Sequence, residues 1–166
     1  MTVYNQDRIE FKRKLAAAKR HIDADRFAEA ATIYEQLLVE EPDEPDLCHT
    51  LGLVYLEQGR LDAAIQQLNH CITIKPENPN VYRSIGDALN ASGRLHEALS
   101  AYQRACAIDP EYTDALVNMG NVLHSLNRLP EAIETFEKVI DRDPQNLIAL
   151  NNIGKTCQDT GKLKKP

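Results

Sequence analysis

The sequence predicts an all-α fold, a solenoid of antiparallel helix pairs. Three observations carry this. Prolines fall at Pro42, Pro76, Pro110 and Pro144, each 34 residues after the last. A turn signature recurs in the same register: Asp25-Arg26-Phe27, Gly59-Arg60-Leu61, Gly93-Arg94-Leu95, Asn127-Arg128-Leu129 and Gly161-Lys162-Leu163. Between these marks, small residues recur at Ala18, Gly52, Gly86, Gly120 and Gly154, and alanines at Ala30, Ala64, Ala98 and Ala132. A fixed period of this length marks a stack of supersecondary units, each contacting mainly its neighbours.

Each unit is read in order. Residues 1–10 form a lead-in, and residues 11–44 a first repeat. The first helix of that repeat has Lys14, Ala17, Ala18 and His21 at its register positions and many charges, which suits a solvated end cap. Repeat two, residues 45–78, places Leu51, Val54 and Tyr55 on one face of its first helix. Leu61, Ala64, Ile65, Leu68 and Ile72 share one face of its second. Repeats three (79–112) and four (113–146) keep the pattern, and a large apolar residue follows each alanine by four: Tyr34, Leu68, Tyr102 and Phe136. A partial fifth repeat, 147–166, keeps Leu147, Ile148, Leu150, Ile153 and Gly154 but has no room for a second helix. Its first helix is apolar for an outermost element, so either the array continues or that face meets a partner. The closing Lys162 to Pro166 reads as the beginning of a further helix.

The turns have local causes. Gly, Asn and Asp tolerate the left-handed conformation in which a helix ends and the chain reverses. The periodic proline stops each second helix, while Pro45, Pro79 and Pro130 suit first-turn positions, where a missing N–H costs little. Gly52 and Ala64, with their equivalents, are small because paired helices approach closely there.

Composition narrows the function. The chain of 166 residues is 43% hydrophobic and 27% charged, which suits a folded protein, with 5% aromatic residues and no Trp. The apolar runs fall far short of the ~18 residues of a membrane span, and no secretory signal opens the chain. A net charge of −6 argues against general nucleic-acid binding. Cys48, Cys71, Cys106 and Cys157 form no CxxC or zinc-finger spacing, and are expected to be reduced, mostly buried thiols of a cytoplasmic protein. Five histidines never form HExxH or a close acidic cluster, and GxSxG, GxGxxG and phosphate loops are missing. No catalytic residue, cofactor or metal is expected.

The third repeat carries Tyr82, Ile85, Gly86, Leu89, Ala98, Tyr102 and Pro110; the fourth carries Leu116, Met119, Gly120, Leu123, Ala132, Phe136 and Pro144. These resemble the tetratricopeptide-repeat signature W-x2-L-G-x2-Y…A-x3-F…P. The resemblance implies a right-handed superhelix whose first helices line a groove for a protein or peptide. It puts the groove-facing side chains at the second, fifth, sixth, ninth, twelfth and thirteenth positions of each repeat. Here these include Arg83, Asp87 and Asn90 in repeat three, Asn118, Asn121 and His124 in repeat four, and Asn151, Asn152 and Lys155 in repeat five. Asparagine offers both donor and acceptor, so it can pair with a peptide backbone whatever its sequence.

Asn118 and Asn152 share the sixth position, which resembles the asparagine ladder in the repeat arm of the O-linked N-acetylglucosamine transferase family. The same position is Ala16, Thr50 and Ser84 earlier, so the ladder is partial. Chaperone-tail-binding relatives use Lys at the fifth and Asn at the ninth position of one repeat, and no repeat here has that pair. Arg83 has Asp87 one turn on, which can satisfy it within its helix. The basic cluster from Arg8 to Arg20 and the acidic one from Glu40 to Asp46 read as a soluble cap and a solvated loop. The expected function is a scaffold that holds a partner peptide or helix. The alternatives are a substrate-recruiting arm of a larger glycosyltransferase- or sulfotransferase-type enzyme, and a homo-oligomer formed through the fifth-repeat helix.

Overall fold

The computed structural model describes residues 2–163, with side chains from 6 to 161. Lys164, Lys165 and Pro166, the last residues of the expected further helix, lie outside the described residues. Among the described residues every regular element is an α-helix. The chain divides into two compact units, Met1–Pro76 and Glu77–Pro166.

The first unit holds α1 (Thr2–Asp23), α2 (Phe27–Glu40), α3 (Pro45–Glu57) and α4 (Leu61–Ile74). α1 is one helix of 22 residues, so the lead-in continues into the first repeat without a break. Of its basic cluster, Lys14 pairs with Glu40 of α2 at 2.6 Å. The core is formed by fully covered Ala30, Leu37, Ala64 and Leu68. The Tyr55 hydroxyl donates to Glu35 at 2.7 Å, with the Arg60 guanidinium 4.2 Å from the tyrosine ring centre.

The second unit holds α5 (Pro79–Ala91), α6 (Leu95–Ile108), α7 (Thr113–Ser125), α8 (Leu129–Arg142) and α9 (Leu147–Leu163). Each helix packs on the next, and α7 also touches α5 and α9. Tyr102, Phe136 and Val139 fill the core among Ala98, Ala105, Ala115 and Ala132.

The same local chemistry turns the chain in both units. Asp25, Gly59, Gly93 and Asn127 have φ of 54°, 69°, 76° and 58°. The amide after each reaches back to the last turn of the helix: Arg26 to His21 O at 2.8 Å, and Arg60, Arg94 and Arg128 to Tyr55, Leu89 and Leu123 O at 2.9 Å. This is the left-handed helix stop expected from the signature. Pro45, Pro79 and Pro130 sit in first turns, and the periodic prolines follow the helix ends at Glu41, Lys75, Asp109 and Asp143.

The recurrent glycine of each first helix is a notch for one side chain. A Cβ on Gly52 would lie 2.6 Å from Leu68, one on Gly86 would lie 2.5 Å from Tyr102, and one on Gly120 would run into Phe136. In the fifth repeat the pattern departs from expectation at Gly161. Its register matches the turn glycines, yet α9 continues through it to Leu163. Each left-handed stop elsewhere leads into a helix that packs back on the one before, and no helix follows α9 among the described residues.

Candidate functional site

Because α7 lies against both α5 and α9, groove positions of repeats three to five gather in the second unit. A lateral bond recurs between these helices. Asn118 Nδ2 donates to Asp87 Oδ1 at 2.9 Å, and Asn152 Nδ2 donates to Asn121 Oδ1 at 2.8 Å. In each case the sixth residue of one repeat reaches the ninth of the repeat before. The partial ladder therefore spends one amide N–H per asparagine on joining neighbouring helices.

Towards α5 the face is tied together by a polar network. Arg83 Nη1 donates to Asp87 Oδ2 at 2.5 Å and its Nε to the Tyr112 hydroxyl at 2.7 Å. The Tyr112 hydroxyl in turn donates to Asn80 Oδ1 at 2.7 Å, and the Tyr102 hydroxyl donates to Asp87 Oδ1 at 2.6 Å. Burial opposes the charged form of Arg83, but Asp87 and Tyr112 outweigh it and hold its pKa above the usual value. Burial, and then the Asp87 carboxylate, push the Tyr102 phenol far above its ordinary value. Asp87 thus serves three donors at once, and Arg83, Asp87 and Asn118 are committed mainly to one another.

Towards α9 the face opens into a pocket of about 170 Å³, lined by Asn121, His124, Ser125, Phe136, Asn152, Lys155 and Thr156. His124 Nε2 lies 3.1 Å from Asp159 Oδ2, which links α7 to α9 beside it. Thr156, almost fully buried, donates to Asn152 O at 2.7 Å and holds that turn of α9. The pocket offers amides, a hydroxyl, an imidazole and an ammonium group, a set suited to peptide groups and carboxylates.

Of the predicted residues, Asn121, His124, Asn152 and Lys155 meet at this pocket. Arg83, Asp87 and Asn118 meet in the network beside it, whereas Asn90 and Asn151 are exposed and line neither. Sequence reasoning missed Ser125, Asp159 and Tyr112. Ser125 and Asp159 occupy the thirteenth position of their repeats, so the same register rule could have found them. Tyr112 closes repeat three where the other repeats have Glu44, Asn78 and Asn146, and no periodicity signals it. The thiols also differ in cover: all four are free, Cys48 and Cys71 are buried, Cys106 is half-buried and Cys157 is exposed. Among the described residues no group of His, Cys, Asp and Glu could hold a metal ion, and no helix is long and apolar enough to cross a membrane.

Paired helices in 34-residue register, with a polar face on the first helices, define a helical-repeat protein of the protein-interaction type. Family models agree: a tetratricopeptide repeat matches residues 18–84, a TPR repeat residues 86–126, and a second tetratricopeptide repeat residues 113–146. The chain belongs to the tetratricopeptide-repeat family. No curated protein sequence matches it. Among solved structures it is similar to the MamA protein, with 25% identity and a TM-score of 0.84 over 91% of this chain and 82% of that one. YrrB, a TPR protein with an unusual peptide-binding site, shares 25% identity at a TM-score of 0.75, covering 83% of this chain and 71% of its own. The first TPR of Spaghetti (RPAP3), bound to the HSP90 peptide SRMEEVD, shares 26% identity at a TM-score of 0.68, covering 70% and 93%.

Proposed function

We propose that the chain is a binding scaffold that grips an extended segment of a partner protein on the α7–α9 face, without a chemical step of its own. The observation that carries this is the meeting of Asn121, His124, Asn152 and Lys155 at one pocket, from positions dispersed over 35 residues of sequence. Amides can pair with the peptide backbone, while the Lys155 ammonium favours an acidic or carboxylate-bearing ligand. The α5 end of the face, where Arg83, Asp87 and Asn118 satisfy one another, acts as a rigid wall. The peptide-bound Spaghetti repeat and the peptide-binding site of YrrB support this reading by analogy of fold.

A random peptide library displayed on phage and selected on the intact chain tests it. Selected peptides should bind the Asn121→Ala/Asn152→Ala double variant at least about tenfold more weakly, with its thermal unfolding still cooperative. Peptides that bind both proteins equally, or a selection that enriches none, would remove the pocket from the function.

A further inference from the structure

Helix α1 departs from the other first helices at two register positions. The third position holds Leu47, Val81, Ala115 and Ala149 in repeats two to five, and the tenth holds Val54, Ala88, Val122 and Thr156. None of these uncharged side chains is more than 4% exposed. Ala149, for example, packs in one cluster with Val139 of α8, the helix before it. In repeat one the same two positions are Arg13 and Arg20, and both are exposed. A further repeat stacked there would have to strip water from both guanidinium groups, so this side of α1 is built to meet charge rather than to continue the stack.

Arg13 and Arg20 belong to a face of one sign. Arg8, Lys12 and Lys19 follow the spacing of a second row, and the uncharged Ile9 and Ala16, seven residues apart, run between the two rows. All of these residues are exposed, Ile9 by 57%. The face extends over about 18 Å of helix. Asp23 is its single acidic residue, at the far end, because Asp7 and Glu10 fall on the stripe of Lys14. Among the described residues none of the five cations enters an ion pair, and Arg20 reaches the Ala16 carbonyl of its own turn at 3.3 Å. A solvated end requires polarity but not one sign, and the chain as a whole carries a charge of −6.

We propose that this face of α1 docks an acidic amphipathic helix of a partner protein. Charge complementarity selects the occupant. The two rows of cations attract carboxylates on both flanks of a helix laid along α1, while Ile9 and Ala16 receive two apolar side chains spaced seven residues apart. An anionic membrane would find little beyond Ile9 to bury, because the apolar side of α1, with Ala18 fully buried, is packed within the unit. The surface lies in the first unit and shares no residue with the peptide pocket of the second.

The probe is a fluorescently labelled synthetic helix, EALEEEAEALEEEA, with its two leucines seven residues apart. It should bind the intact chain saturably, and more weakly as salt is raised from about 0.05 to 0.5 M. Arg13→Glu/Arg20→Glu should lower its affinity by about tenfold or more while unfolding stays cooperative, since both side chains are exposed. Ile9→Ser should lower it by about threefold. Asn121→Ala/Asn152→Ala should leave it unchanged, which separates this surface from the peptide pocket. Absence of saturable binding, equal affinity for the same peptide with lysine at every glutamate, or indifference to the arginine double variant would each overturn the proposal. So would tighter binding to phosphatidylserine vesicles or duplex DNA than to the peptide, or self-association of the chain that the double variant abolishes.

Discussion

Asn118 stands to Asp87 as Asn152 stands to Asn121: an amide N–H crosses from one first helix to the side chain of the one before, at 2.9 and 2.8 Å. The two bonds are geometrically alike but carry different loads. Asp87 also accepts from Tyr102 and pairs with Arg83, while Asn121 sits exposed at the mouth of the pocket.

Asp87→Ala should therefore destabilise the second unit by about 2–3 kcal/mol, because a half-buried guanidinium, a buried phenol and an amide lose their acceptor together. Asn118→Ala, which removes one donor, should cost about 1 kcal/mol. Urea unfolding of the two variants checks the order, and equal midpoints would contradict it.

Identical substitutions at equivalent glycines should have opposite signs. Gly86→Ala drives a methyl group to 2.5 Å from the Tyr102 ring and should destabilise by about 1–3 kcal/mol. Gly154→Ala meets nothing within 4 Å and should stabilise α9 by up to about 1 kcal/mol through helix propensity. Thermal unfolding of both variants gives the test; the idea of an open notch does not survive a destabilised Gly154→Ala.

Thiol reactivity should divide along the fold. Burial pushes the Cys71 thiol up to about 11 and also raises Cys48 and Cys106, whereas Cys157 is exposed. Thiolate is the reactive form, so iodoacetamide at about pH 8 should modify Cys157 first. Cys48 and Cys71 should follow only on unfolding. Mass spectrometry of tryptic peptides reads the order.

Alkaline pH should weaken the first unit through Tyr55. Burial, then its bond to Glu35, push this phenol from 10 up to about 12. Below pH 10 the phenol is protonated in both states and its contribution is fully present. As pH rises from 10 through 12 the unfolded chain ionises first, so stability falls. Urea midpoints followed across this window should decline in the wild type, and less steeply in Glu35→Gln. A flat profile would show that Tyr55 is not held in its neutral form.

The helices, their stops and their close approaches were legible because each depends on residues near in sequence. Gly59 and Gly93 must turn left, Pro45 and Pro79 must open helices, and Gly86 must make room for a ring in the next helix. Register also brought Asn121, Asn152 and Lys155 to one face. The Tyr112–Arg83–Asp87 network was not legible beyond the Arg83–Asp87 pair, because Tyr112 is a loop residue whose role depends on a bond to a guanidinium 29 residues earlier. Gly161 misled because glycine permits a left-handed stop without requiring one, and here it lies inside α9.

The uniform glycine and the variable side chain facing it divide labour unequally within each pair. First helices hold the same notch at Gly52, Gly86 and Gly120, and second helices alone decide whether Leu68, Tyr102 or Phe136 fills it. An in-frame duplication of one 34-residue unit would consequently carry both halves of this internal joint with it. The bonds between units, such as Asn118 to Asp87 and Asn152 to Asn121, are by contrast particular to their neighbours, so the order of the units matters more than the build of any one of them.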